Sequence, residues 1–188
     1  MKLFFVTGNP NKLREVKEMM SELAPFVEVV GVDLKIKERQ ADSLEEVAAE
    51  AAREAYAKLQ SPLFVEDSGV FIEALRGFPG PYSAYVYRTI GNRGILKLME
   101  GVMDRRATFK SVVALCLNEG RALLFTGSVE GEIAKEERGG GWGFDPIFIP
   151  RGLNLTFGEL GEGKNKVSHR RRAVEALARY LTELHGKT

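Results

Sequence analysis

Cysteine is almost absent from this 188-residue chain: Cys116 stands alone, so no internal disulfide can form. Histidine is nearly as scarce, and His169 and His185 are too widely spaced to suggest a zinc cage. Neither sign of charge is in excess. Lys and Arg number 27 against 26 Asp and Glu, so any anion site must come from local clustering rather than from a global field. A long apolar run is missing too. Leu3-Phe4-Phe5-Val6 turns polar at Thr7-Gly8-Asn9-Pro10, too short for a signal peptide, and nothing approaches the ~20 apolar residues of a membrane span. A cytoplasmic protein with no membrane partner is expected. A composition of 44% hydrophobic and 28% charged residues excludes collagen-like, low-complexity and disordered classes. The length suits one domain over residues 1–188.

What is present alternates. Leu3 to Thr7 reads as a buried strand, and Leu13, Val16, Met20 and Leu23 recur at helical spacing over about 11–23. Val27 to Val32 is a second strand. Ser43-Leu44-Glu45-Glu46 is a capping box that opens a helix reaching Leu59. Leu63-Phe64-Val65 is a third strand, expected to end in Glu66-Asp67-Ser68-Gly69. This order argues an α/β fold with parallel pairing at its centre. Further on, Gly77-Phe78-Pro79-Gly80-Pro81 predicts a rigid loop, and Ile90 to Met99 a helix. Ala107–Leu117 and Ala122–Ile133 form a long hairpin around Asn118-Glu119-Gly120, and Gly139–Gly143 is a permissive loop. A short strand, Ile147-Phe148-Ile149, and a last helix marked by Val174, Leu177, Leu181 and Leu184 complete a mixed sheet flanked by helices.

Three places carry chemistry. The turn Thr7-Gly8-Asn9-Pro10-Asn11-Lys12 brings helix N-terminal amides and a lysine to one spot, a ready anion site. Asp67 stands just past the third strand, where open α/β sheets bind ligands, and Glu38 lies in the polar stretch before the second helix. Such a sparse pair of carboxylates suits Mg²⁺ shared with substrate phosphates better than it suits calcium. The run from Lys164 to Arg172 carries five formal positive charges and no acid where the last helix begins. Cations there oppose the helix dipole, so an anion is expected to offset them. With a pI of 7.8 that anion is a small ligand rather than a nucleic acid. One decoy falls away. Gly158 to Lys164 nearly matches a phosphate-binding loop, but Asn165 replaces the hydroxyl that would ligate magnesium, and no clear strand precedes it.

Five segments in this order resemble the inosine triphosphate pyrophosphatase family: Thr7–Lys12, Glu66–Gly69, Gly77–Tyr82, Gly143–Pro146 and Lys164–Arg170. The similarity runs from about residue 3 to 181. The resemblance implies an elongated central mixed sheet, two lobes with a cleft between them, and a homodimer. It implies Mg²⁺-assisted attack of water on the α-phosphate of ITP, dITP or XTP, giving the monophosphate and pyrophosphate. Carried over residue by residue, Thr7, Gly8, Asn9, Pro10, Asn11, Lys12 and Lys164 hold phosphates, and Glu38 and Asp67 bind metal. Asp67 is the general base and Ser68 binds substrate. Phe144 stacks on the base, with Asp145, Pro146, Ile147, His169 and Arg170 completing its pocket. Two positions depart from the family pattern. The second helix has Ala49, Glu50 and Ala51 where relatives often carry a lysine, and Ser83-Ala84-Tyr85 lacks the basic residue often found after the Pro-Gly-x-Tyr turn.

Two other classes compete. A house-cleaning pyrophosphatase for modified pyrimidine nucleotides would share the fold, and Ser168-His169-Arg170 argues against it. A non-enzymatic RNA-binding protein would show steep salt dependence and no magnesium-dependent turnover; no stable nucleic-acid partner is expected.

Overall fold

A computed structural model describes residues 1–37, 39–118 and 121–187. In chain order the elements are β1 (Lys2–Val6), α1 (Pro10–Leu23), β2 (Glu28–Val32), α2 (Leu44–Leu59), β3 (Leu63–Ile72), α3 (Ser83–Thr89) and α4 (Gly91–Leu98). There follow β4 (Arg106–Cys116), β5 (Leu123–Ile133), β6 (Phe148–Pro150), the short α5 (Phe157–Leu160) and α6 (Lys164–Val167), and α7 (His169–His185). The strands form one six-stranded sheet in the order β2-β1-β3-β4-β5-β6. It is mixed, as expected: β1 pairs in parallel with β2 and β3, while β5 and β6 are antiparallel. Glu119 and Gly120 of the expected hairpin turn lie outside the described residues. No helix among the described residues is long and apolar enough to cross a membrane.

The chain divides into two compact units, each discontinuous in sequence. The first comprises Met1–Asp67, Ser111–Gly127 and Arg170–Thr188, the second Ser68–Lys110 and Ser128–His169. In the first, apolar faces of β1, α1, β3, β4 and α7 meet in one core. Leu3, Phe5, Val16, Met20, Phe64, Val113, Leu177 and Leu181 are fully buried there, and Phe5 stacks on Phe64 at 4.6 Å. Each such side chain contributes roughly 1.5–3 kcal/mol of transfer free energy. The second unit has its own core around Ile72, Ile95, Met99, Phe109, Phe148 and Phe157.

Two expectations need correction. Strand β3 does not end at the acidic motif but runs through it to Ile72, so Asp67 lies mid-strand. Tertiary contacts explain this. The backbone at Gly69 packs so closely on the Gly80 loop that a Cβ would collide with the Gly80 carbonyl oxygen, and Val70 N–H donates to Ser83 Oγ at 3.0 Å. The helix expected from Ile90 to Met99 is α4, but a further helix, α3, precedes it, and Gly91 with φ of +61° separates the two. Helix α7 starts at His169, inside the basic run, as expected.

Candidate active site

The Thr7–Lys12 segment is a capped helix entry. Asn9 Oδ1 accepts from the N–H groups of Asn11 and Lys12 at 2.9 and 3.2 Å, Pro10 occupies the first turn, and Asn9 N–H donates to Thr7 Oγ1 at 3.1 Å. Several amides expected to meet an anion are therefore already bonded within the loop. Beside it lies an open cavity of about 250 Å³ lined by Thr7, Gly8, Asn9, Pro10, Asp33 and neighbouring apolar residues.

Lys12 is not free in solvent. Its Nζ lies 2.9 Å from Glu66 Oε2 and donates to the Glu66 carbonyl oxygen at 3.2 Å, which ties the loop to the strand that carries Asp67. Glu66 is a hub. Ser111 Oγ donates to its Oε1 at 2.6 Å, and Arg170 Nε reaches the same oxygen at 3.2 Å. Arg170 also donates from Nη1 to Glu15 Oε2 at 2.5 Å. The guanidinium, 1% exposed, thus lies between two buried carboxylates. Burial alone would raise the Glu66 carboxyl, but the charges of Arg170 and Lys12 and the bonds from Ser111 and Lys12 outweigh it and hold the group at about 2.

This network revises the argument from the basic run. Protein carboxylates already offset part of its charge: Glu15 and Glu66 for Arg170, and Glu22 and Glu175 for Arg171 at 2.7–2.9 Å. Lys164 follows the same pattern in the second unit, 2.8 Å from Asp145 Oδ2 with both side chains buried.

In the second unit the remaining predicted residues lie among aromatics. The His169 ring, 1% exposed, stacks on Phe109 at 3.9 Å and lies 5.9 Å from Phe157. Phe144 is 4% exposed, and Tyr87 meets it edge-on at 5.5 Å. Asp145, Pro146 and Ile147 form a short 3₁₀ turn directly after it, with Asp145 and Ile147 buried. Lys164 Nζ stands 4.9 Å from the Trp142 ring centroid. Ser68 follows Asp67 on β3, and one Asp67 oxygen, Oδ2, is buried. Glu38 lies outside the described residues. Among the described residues, no group of three or more His, Cys, Asp and Glu is placed to hold a metal ion.

The structure thus brings Lys12, Glu66 and Arg170 into one network in the first unit, and Phe144, Asp145, Lys164 and His169 into the second. Sequence reasoning missed Glu15, Ser111 and Trp142. The lone tryptophan in a glycine loop was the one visible signal among them; the other two join the network only through long-range contacts.

Comparison with known proteins places the chain in a family. The model of the Ham1 family matches residues 3–180. The chain belongs to the Ham1 family. It is similar to the dITP/XTP pyrophosphatase of Methanopyrus kandleri, 54% identical over 96% of each chain. It is also 52% identical to the dITP/XTP pyrophosphatase of Ignicoccus hospitalis, over 96% of this chain and 97% of that one. The Ham1 protein of Staphylococcus aureus superposes with a TM-score of 0.84, covering all of both chains at 28% identity. The Ham1 fold is accordingly the α/β mixed sheet described above.

Proposed function

We propose that this Ham1 chain hydrolyses non-standard purine nucleoside triphosphates, of the dITP, ITP and XTP type, to the monophosphate and pyrophosphate, clearing them from the cytoplasmic nucleotide pool as a homodimer. The observation that carries the reading is identity above 50%, along nearly the whole chain, to proteins named dITP/XTP pyrophosphatase. The geometry supports it through Lys12, held on Glu66 one residue before Asp67.

The reaction breaks the bond between the α-phosphorus and the oxygen bridging to the β-phosphate while water adds to phosphorus. It needs charge neutralisation, in-line placement and a proton acceptor. Lys12 and the Thr7–Asn11 loop, together with Lys164, bind and orient the phosphates. Asp67 takes the proton of the attacking water, and Ser68 holds the substrate beside it. The donors fit Mg²⁺, which takes one or two carboxylates along with substrate phosphates. Asp67 and Glu38 would hold it, whereas the Glu66 oxygens are already engaged by Lys12, Ser111 and Arg170. When bound, Mg²⁺ supplies charge neutralisation at the phosphates. Phe144 and His169 offer aromatic faces to the base, flanked by Asp145, Pro146 and Ile147. Arg170 has only donors, so it favours a six-oxo purine over adenine.

Turnover of ITP, dITP, XTP, ATP, GTP and modified pyrimidine triphosphates with Mg²⁺, followed by phosphorus NMR, tests the reading. Pyrophosphate from the oxopurine substrates is expected. Stepwise orthophosphate release, or preference for a pyrimidine, would overturn it.

A further inference from the structure

Helix α4 is anchored in the second core by Ile95 and Met99, both fully buried, yet on its first turn it also buries a polar side chain. Asn92 is 8% exposed, and its Nδ2 donates to the Gly143 carbonyl oxygen at 3.0 Å, across 51 positions of sequence. Its Oδ1 is buried with no hydrogen-bond partner. Burying an amide with half its bonding capacity unmet is unfavourable, and an apolar side chain would suit the same core better. The group that Asn92 holds explains its presence. Gly143 has φ of +60°, a conformation open to glycine, and its carbonyl belongs to the peptide that leads into Phe144. Helix α3 adds a second restraint, since Tyr87 meets the Phe144 ring edge-on at 5.5 Å and 76°. Between them α3 and α4 restrain the backbone before Phe144 and its ring.

We infer that Asn92 is a positioning residue for base selection: by fixing the Gly143 peptide it sets the Phe144 ring, and so sharpens discrimination among purines without touching substrate. This rests on the proposed role of Phe144 as the base-facing ring. Asn92→Asp keeps the shape but turns the donor into an acceptor facing a carbonyl. The preference for ITP over ATP, as a ratio of kcat/KM, should fall about 3- to 10-fold, the effect of losing one neutral hydrogen bond. The change should lie in KM for ITP rather than in kcat. Inhibition by inorganic tripolyphosphate, which has no base, should stay within about twofold of wild type.

An unchanged ratio, or tripolyphosphate affinity falling in parallel with that for ITP, overturns the inference, because a merely structural residue would disturb both ends of the substrate alike. Should the buried carboxylate prevent folding, Asn92→Ala removes the donor without adding charge and decides by the same measurements. Phe144→Leu separates the two levels. If it collapses the ratio while the Asn92 variants do not, only the positioning role fails. If Phe144→Leu also leaves the ratio intact, the base-facing reading fails and takes the positioning role with it.

Discussion

The two units solve the same packing problem with different materials. The first buries ions: Glu15, Glu66 and Arg170 are all at least nine-tenths buried, and Lys12 closes the network from α1. The second buries rings, with Phe109, Phe148, Phe157 and His169 in mutual contact and the Lys164–Asp145 pair beside them. Buried ions fix direction, since each donor must meet its acceptors at hydrogen-bond distance, but they make the structure sensitive to every change of charge. Stacked rings fix shape, and the phenyl rings among them carry no charge to lose. On the proposed function this contrast follows the substrate in part: Lys12, assigned to the phosphates, lies in the first unit and Phe144 and His169, assigned to the base, in the second, whereas Lys164 and Arg170 cross that pattern.

The largest effect should come from Asp67→Asn, at the end of the first unit's opening segment. It removes the proposed proton acceptor at constant size, and kcat should fall about 10²- to 10⁴-fold with the melting transition retained. Near-normal kcat would take Asp67 out of the mechanism. Glu66→Gln should act on stability instead. Removing one charge from a buried network typically costs about 3–5 kcal/mol, which in a chain of this size lowers Tm by roughly 6–20 °C. A shift under 2 °C would mean the network is dispensable, and the contrast between the units would lose its basis.

Acid sharpens the same point. The Glu66 carboxyl titrates at about 2 when folded, below its ordinary 4.5, so as pH falls the unfolded chain binds the proton first. Its contribution, on the order of 3 kcal/mol, is fully present above pH 4.5 and is lost as pH falls towards 2. Urea melts of wild type and Glu66→Gln between pH 7 and pH 2 should converge as pH falls; curves that stay parallel would assign the acid sensitivity elsewhere. The smallest effect is expected from Arg171→Ala. Its partner Glu22 is 63% exposed at the side chain, so the pair contributes about 0.2–1 kcal/mol and less in high salt. A loss above 2 kcal/mol in denaturant melts would show that this fork behaves like the buried one.

Much of the first unit was legible in the sequence because its elements announce themselves locally. The apolar spacing of Leu13, Val16 and Met20 and the Ser43 cap mark α1 and α2 without reference to the rest of the chain. Strand β3 was cut short because Glu66-Asp67-Ser68-Gly69 is polar and resembles a turn; only the contacts with Ser111, Gly80 and Ser83 keep it extended. Helix α3 escaped notice because Ser83-Ala-Tyr-Val-Tyr is rich in aromatic and β-branched residues, weak helix formers with little periodicity. In the site, motif order pointed to Lys12, Asp67, Lys164 and Arg170, but the partners that hold them did not follow from it. Glu15 and Arg170 are 155 positions apart, and no local pattern joins them.

That separation also orders events in time. A chain is made from its N-terminus, and its earlier parts usually fold first. Here the first unit's opening segment precedes the second unit, yet the unit needs Arg170 to offset Glu15 and Glu66, and Ala173, Val174, Leu177 and Leu181 of α7 to fill its core. All of the second unit, through His169, has been synthesised before those residues emerge. A nascent chain that stops short of Arg170 holds two carboxylates meant for burial and no guanidinium to accompany them. Of the two units, the one whose synthesis begins first is therefore the one completed last, and its folding waits for α7 to emerge.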